Sequence, residues 1–223
     1  DLLPDKNVWV GITRDGIVSR TRDDKTPRPS GKDAPNWLIK ASTNDTLYLV
    51  SEKGEAVALA VHTLPEAEKL SDGSEWYKIS PLKSSDRLAA AFALPARRSE
   101  FPEETYVLSV TRGGMVKKSA ISELPGPSAQ AFTLVRVNDG DVLGWIVLTD
   151  GEKEILLATA SGMGIRFNED DVRPMGLVAA GVNGVKLGVG DLVVGADVLP
   201  QTGEVFIITS DGKGKRIPES DFP

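Results

Sequence analysis

The chain has 223 residues, a formal charge of −6 at pH 7, and a composition that is 40% hydrophobic and 26% charged. It contains no cysteine and one histidine, which excludes disulfides, thiolate metal sites and histidine-cluster metal sites. The acidic balance argues against a protein that coats nucleic acid by bulk charge, although a local basic face is compatible with it. With no apolar run near the roughly 20 residues of a membrane span, we expect a soluble protein. Because it opens on Asp1 and not on methionine, we expect a portion of something longer.

One pattern recurs five times: an apolar run, a threonine or serine, two residues, a glycine, and a second short run. It predicts β-hairpins over residues 8–21, 46–59, 105–119, 154–167 and 204–217. Each hairpin needs a turn residue with positive φ, which glycine supplies without steric cost. The five predicted turn glycines are Gly16, Gly54, Gly114, Gly162 and Gly212.

Between the hairpins, an apolar residue is followed four positions later by an aspartate: Asp45, Asp86, Asp141 and Asp191. Apolar runs that we interpret as strands buried on both faces follow the last three. A repeat of about 50 residues with roughly four strands matches a propeller-type blade better than an immunoglobulin-like sandwich. The sequence therefore predicts an all-β, propeller-like fold of about five four-stranded blades, four complete and one partial. One short helical turn is expected around residues 65–69, and no composition break divides the single domain expected over residues 1–223.

Basic residues recur at a fixed offset, four positions after the turn glycine. They are Arg20, Lys118, Arg166 and Arg216, with Ala58 in the second hairpin. Because side chains alternate along a strand, a fixed offset predicts equivalent outward positions on successive blades. The hairpins, extended to Arg22, hold 11 basic and 6 acidic residues, whereas the rest of the chain holds 15 and 26. Such a basic edge suits contact with DNA phosphates, and the alternative is that it blunts strand edges against aggregation.

Other candidate sites have simpler interpretations. The glycines around residues 162–164 and 212–214 complete no phosphate-loop motif, so we interpret them as hairpin turns. His62 is expected to be a partly buried residue at a strand end, and the acidic run at residues 169–171 is interpreted as a solvated turn in preference to a carboxylate site. The four tryptophans are expected in or beside the core. No nucleophile with a positioned base, metal-ligand spacing or cofactor loop is present, so no active site is expected.

Residues 165–176, IRFNEDDVRPMG, and residues 179–187, AAGVNGVKL, carry the most specific resemblance. They resemble the IRF-x-E-x-x-VR-x-MGR-x-A-x-GVRG-x-x-L segment of the C-terminal β-pinwheel domains of bacterial type IIA topoisomerase A subunits, those of DNA gyrase and topoisomerase IV. Leu177 and Asn183 stand where that segment has arginine. The opening residues 1–4 and the hairpins at Thr13, Thr111 and Gly212 also resemble the family, so the likeness covers essentially the whole chain.

The resemblance implies a ring of blades that exchange hairpins with their neighbours and bind, bend or wrap double-stranded DNA around a basic rim, without sequence specificity. It implies a domain without catalytic residues or cofactor, in the bacterial cytoplasm and away from membranes, supporting ATP-dependent supercoiling or decatenation. Its other partners would be the remainder of the A subunit, through which it would also reach the ATPase B subunit. The residues expected to bind DNA are Arg14, Arg20, Arg22, Arg28, Lys32, Arg112, Lys117, Lys118, Arg166, Arg173, Lys213, Lys215 and Arg216.

The sequence departs from the family in the loop after the first hairpin. Gyrase has the box QRRGGRG there, whereas in residues 22–35 of this chain only Arg28, Gly31 and Lys32 match it. Three aspartates in the same loop, Asp23, Asp24 and Asp33, would repel phosphate. An alternative hypothesis is therefore a degenerate pinwheel that acts mainly as a protein-interaction or regulatory module on the topoisomerase core.

Overall fold

The computed structural model describes residues 4–29 and 31–222, and their regular secondary structure consists mostly of β-strands. They divide into two compact units, one extending to Phe101 and including Ser122–Leu134, the other formed by Pro102–Ile121 and the chain from Val135 onward. In the described ranges the strands are β1 (Asn7–Thr13), β2 (Ile17–Arg20), β3 (Pro35–Ser42), β4 (Thr46–Ser51), β5 (Glu55–Ala60), β6 (Ser74–Glu75), β7 (Leu88–Leu94), β8 (Tyr106–Thr111), β9 (Met115–Ala120), β10 (Phe132–Thr133), β11 (Leu143–Thr149), β12 (Glu154–Thr159), β13 (Gly164–Asn168), β14 (Val182–Asn183), β15 (Val193–Leu199), β16 (Glu204–Ile208) and β17 (Gly214–Pro218).

The strands form antiparallel sheets built by one rule. A hairpin supplies two adjacent strands, the chain that follows it adds a third beside the first, and a two-residue fourth strand comes from the chain beyond the next hairpin. The first unit contains sheet 1 (β3-β1-β2-β6) and sheet 2 (β10-β5-β4-β7). The second contains sheet 3 (β11-β8-β9-β14), sheet 4 (β13-β12-β15) and sheet 5 (β16-β17). Each predicted hairpin thus stays within one sheet, and the part that the later chain contributes to sheets 1 to 3 is a two-residue strand.

The blade count needs correction. Of the sheets in the described residues, three have four strands, one has three, and the last is a hairpin alone. Four sheets of blade type are present where about five were expected, because the fifth hairpin has no third or fourth strand beside it.

Each hairpin turn follows from the same short sequence. The glycine N–H donates to the carbonyl of the threonine or serine three residues earlier at 2.9–3.0 Å, and the glycine φ lies between 81° and 86°. In four turns the threonine Oγ1 accepts the N–H of the residue after the glycine at 3.0–3.3 Å. These local bonds explain why the threonine and glycine recur at this spacing.

Each unit has its own apolar core. Val8, Val10 and Ile12 of β1 are fully buried in the first, and Leu108 and Val110 of β8 in the second. Burying a side chain of this size stabilises the fold by about 1.5–3 kcal/mol. Trp37 and Trp76 pack against the first core and Trp145 against the second, as the sequence predicted for these three residues.

Two expectations about local structure were wrong. Residues 65–69 form no helix, because Arg20 of β2 donates its N–H to Pro65 and accepts that of Ala67, which holds this segment extended. The short helix α1 (Trp76–Ile79) lies further along the chain. The third strands β7, β11 and β15 are half-exposed along much of their length instead of buried on both faces. No helix among residues 4–29 and 31–222 is long and apolar enough to cross a membrane.

Candidate nucleic-acid interface

Lys117 and Lys118 of β9 are buried, with 1% and 2% of their surface exposed. The Lys118 Nζ donates to the Glu169 carbonyl at 2.9 Å and lies 3.7 Å from the Glu169 carboxylate. The Lys117 Nζ donates to the Leu177 carbonyl. The expected outward position is therefore wrong for Lys118, and Lys117, expected as a DNA contact, is buried as well. The segment that follows the next hairpin crosses β9 and covers both lysines.

Glu169, the partner of Lys118, has no exposed surface. Its carboxylate accepts hydrogen bonds from the Thr149 hydroxyl at 2.7 Å and from the N–H groups of Gly151 at 2.9 Å and Lys153 at 2.8 Å. The interpretation of a solvated acidic turn is thus wrong for this residue, although the neighbouring aspartates are exposed. A buried carboxylate is tolerated only when it is paired and hydrogen-bonded, as this one is.

Arg20 and Arg166, like Lys118, lie four residues after a turn glycine, and both also form ion pairs or hydrogen bonds within the fold. The Arg20 guanidinium pairs with Glu66 at 2.8 Å. The Arg166 Nε donates to Glu154 at 2.9 Å, and its Nη1 donates to the Phe222 carbonyl at 3.2 Å. Both arginines are partly buried, and the hydrogen bond from Arg166 lowers the pKa of Glu154. The periodic cation therefore holds the segment that follows the next hairpin.

The second hairpin lacks a basic residue at this position, and the structure shows what replaces it. Ala58 stands at the cation position, and its cross-strand neighbour is Tyr48. The Tyr48 hydroxyl donates to the Pro125 carbonyl at 2.7 Å, so it holds the incoming segment where the other hairpins use a basic side chain. In this hairpin a tyrosine hydroxyl therefore takes the place of the basic side chain.

The recurring aspartates also have structural partners. Asp141 accepts the Gly113 N–H at 2.8 Å, and Asp191 accepts the Ser161 N–H at 3.0 Å and hydroxyl at 2.6 Å, so each fixes the turn of a neighbouring hairpin. Hydrogen bonding from Ser161 lowers the pKa of Asp191. Asp45 departs from this pattern. It accepts the N–H of the preceding Ser42 at 2.7 Å, and burial raises its pKa.

The remaining expected DNA contacts are exposed. They are Arg14, Arg22, Arg28, Arg112, Arg173, Lys213, Lys215 and Arg216. Lys213 pairs with Asp211 and Arg216 with Glu204, both at 3.1 Å. Within the part of the chain that the structure describes, the other six have no carboxylate within 4 Å of the charged group. The side chain of Lys32 lies outside the described residues.

Two exposed cations at hairpin turns, Arg14 and Arg112, each directly follow the turn threonine. Sequence reasoning missed two more beside the second turn. Lys53 pairs with Asp86 at 2.8 Å, and the Arg87 carbonyl accepts a turn N–H at 2.8 Å. Arg87 directly follows the recurring aspartate of its repeat, and that position could have indicated it.

Residues 105–147, 153–200 and 203–223, just over half of the chain, match the family described as the DNA gyrase C-terminal domain, β-propeller. The chain belongs to this family. It is 34% identical over 235 residues to the A subunit of DNA gyrase from Salmonella typhimurium, and 29% identical over 229 residues to the A subunit of DNA topoisomerase 4 from Bacillus subtilis. The alignments cover 100% and 99% of this chain but only 26% and 28% of those proteins.

Solved structures agree with the family. A C-terminal domain of DNA topoisomerase IV superposes with a TM-score of 0.83 at 27% identity, covering 100% of this chain and 70% of that one. The DNA gyrase A C-terminal domain superposes with a TM-score of 0.73 at 18% identity, covering 97% and 73%, which shows a shared fold. The all-β, propeller-like fold class is thus confirmed.

In this gyrase-family domain, the loop at residues 22–35 that replaces the gyrase box is bonded to the first sheet through Asp24. The Trp9 Nε1 donates to the Asp24 carbonyl at 3.1 Å, and Lys40 pairs with the Asp24 carboxylate at 3.1 Å. The negative charge of Asp24 is therefore partly offset by Lys40, while Arg22 and Arg28 stay exposed beside it.

Proposed function

We propose that this domain binds double-stranded DNA without sequence specificity, through the exposed cations that lack an acidic neighbour. The supporting observation is that the basic residues fall into two groups, those that hold the fold together and those that are exposed and unpaired. Of the predicted DNA contacts, Lys117, Lys118, Arg20 and Arg166 are engaged in holding the fold, whereas six others are exposed and have no nearby carboxylate in the described ranges. Phosphate is the ligand that exposed, unpaired guanidinium groups recognise best.

The wider role follows from the family. We infer that the domain is a non-catalytic part of the A subunit of a bacterial topoisomerase, and that it works together with the catalytic parts of the enzyme and with the ATPase B subunit. The exposed cations would bind or bend a duplex that the catalytic parts then supercoil or decatenate. Such contacts position DNA without reading its sequence. We expect a cytoplasmic location and no cofactor.

The experiment is a titration of the chain against a duplex of about 40 base pairs with labelled ends, followed by anisotropy and by energy transfer between the ends. Removing one cation that neutralises a phosphate lowers the slope of log affinity against log salt by about 0.9. A variant with Arg14, Arg112 and Arg173 changed to glutamine should therefore show a slope lower by up to about 3. The matched control changes Lys78, which is exposed, and Lys153, which is partly exposed; both are already paired with acids, so this variant should bind like wild type. No binding by wild type at low salt would contradict the proposal.

A second candidate function is a protein-interaction module on the topoisomerase core. Phe206 and Ile208 of β16 support it, since they are 63% and 64% exposed. Exposed apolar side chains grouped on one element favour contact with protein. Calorimetric titration with the remainder of the A subunit would test this function, and it would be preferred if the chain bound that partner but no duplex.

A further inference from the structure

Within the proposed function, we propose that Arg112 and Trp145 form one DNA-contact point, in which the indole holds the guanidinium against the sheet and the guanidinium meets a backbone phosphate. The Arg112 Cζ lies 5.2 Å from the centroid of the Trp145 ring, within the range of a cation–π contact. Arg112 is exposed, Trp145 is half-buried, and no carboxylate of the described residues lies within 4 Å of the guanidinium. The charge is thus anchored but not neutralised.

The backbone of Arg112 is fixed on both sides. Its N–H donates to the Val142 carbonyl and its carbonyl accepts the Val193 N–H, both at 2.9 Å. The side chain therefore projects from a rigid point, although it stands at a hairpin turn. A fixed starting point reduces the conformational entropy that is given up when the guanidinium binds a ligand.

A β-bulge lies beside the arginine side chain. The register of β11 against β8 shifts between Leu143 and Trp145, which makes Gly144 the extra residue. A Cβ at Gly144 would lie 3.6 Å from the Arg112 Cγ, so the arginine stem passes directly over this glycine.

The same two residue types recur in the first unit. Arg14 follows the turn threonine of the first hairpin, as Arg112 does in the third, and Trp37 lies opposite Ile12 as Trp145 lies opposite Val110. The other positions differ: Glu52 and Ala90 in sheet 2, and Ala160 and Gly195 in sheet 4. Each unit therefore carries one arginine and one tryptophan at this place, and among the described residues the cation–π contact is formed by the pair in the second unit.

Phosphate fits this site better than a base. The guanidinium already occupies the neighbourhood of the indole, so the ring does not offer a free face on which a base could stack. An arginine that rests on an aromatic ring keeps its planar set of N–H donors available at the edge, the geometry that phosphate oxygens accept. The indole is thus a positioning group and the guanidinium the contact.

The test measures duplex affinity across salt for three variants. Arg112→Ala should weaken binding about tenfold at low salt and lower the salt slope by about 0.9. Arg112→Lys keeps the charge, so it should retain the slope but lose part of the affinity. Trp145→Leu should keep the slope and weaken binding about twofold to fivefold. Lys78→Ala, an exposed lysine paired with Glu75, is the control and should match wild type.

The outcomes separate this inference from the function on which it rests. If wild type binds no duplex, the proposed function fails. If wild type binds and Arg112→Ala binds with the same affinity and slope, only this contact point is refuted. Equal affinity for Trp145→Leu and wild type would refute the positioning role. If Trp145→Leu does not fold, the comparison of Arg112→Lys with Arg112→Ala still decides whether the planar guanidinium matters.

Discussion

Replacing Lys118 with alanine should destabilise the second unit without weakening DNA binding. The lysine is 2% exposed, donates to the Glu169 carbonyl and lies 3.7 Å from a carboxylate with no exposed surface. Removing it leaves the buried Glu169 charge without its cation and deletes the packed lysine stem. The sequence alone predicted the opposite, an outward lysine that contacts DNA.

The magnitude follows from the surroundings of the carboxylate. Breaking a buried ion pair by removing one partner typically costs about 3–5 kcal/mol. Glu169 keeps three hydrogen bonds, from Thr149, Gly151 and Lys153, so we expect a loss near the lower end, about 3 kcal/mol. For a unit of about 100 residues this corresponds to a decrease in Tm of roughly 10–20 °C.

Thermal unfolding followed by circular dichroism measures the change, with duplex anisotropy on the same preparation at a temperature where both proteins are folded. Lys118→Ala with Glu169→Gln should recover part of the lost stability, because the uncompensated charge is removed. An unchanged Tm together with a salt slope lower by about 0.9 would refute the reasoning and restore Lys118 as a DNA contact.

Three further predictions test other parts of the fold by chemical denaturation. Tyr48→Phe should lower the free energy of unfolding by about 1–1.5 kcal/mol, because the Pro125 carbonyl loses its hydrogen-bond donor. An unchanged free energy would show that the hydroxyl does not hold this segment. The pKa of Asp86 is lowered, chiefly by its hydrogen bond with Lys53, so its stabilisation is present above the ordinary aspartate pKa and is lost as the pH falls through the lower folded value. Asp86→Asn should therefore make the free energy of unfolding depend less on pH in this acidic range. The same pH dependence in the variant and wild type would contradict the pairing. Gly114→Ala should lower the free energy of unfolding more than Gly162→Ala does. Both glycines have positive φ, but only at Gly114 would a Cβ lie 2.7 Å from a neighbouring side chain. Equal losses of stability would contradict this difference.

Features fixed by short-range chemistry could be predicted from the sequence. The third hairpin, expected over residues 105–119, contains β8 at Tyr106–Thr111 and β9 at Met115–Ala120. Its turn depends on a threonine and a glycine three residues apart, whose bonds are local. Alternation of side chains and turn chemistry thus determine the hairpins before the rest of the chain is considered.

The direction of the periodic cations could not be predicted in this way. Lys118 is covered by a segment that includes Glu169, about 50 residues further along the chain, and no local pattern states that this segment returns to β9. Likewise Arg112 meets Trp145 through a bulge in a separate strand. Offset from a turn predicts equivalent positions, but strand exchange decides whether these positions face solvent.

The most direct test of the account compares the salt dependence of duplex affinity for wild type and for a variant in which the six predicted DNA contacts that are exposed and unpaired are changed to glutamine: Arg14, Arg22, Arg28, Arg112, Arg173 and Lys215. The account predicts salt-sensitive binding by wild type, and a variant that keeps its Tm while its slope falls by up to about 5. Unchanged affinity and slope in the variant would contradict the assignment of DNA binding to these residues.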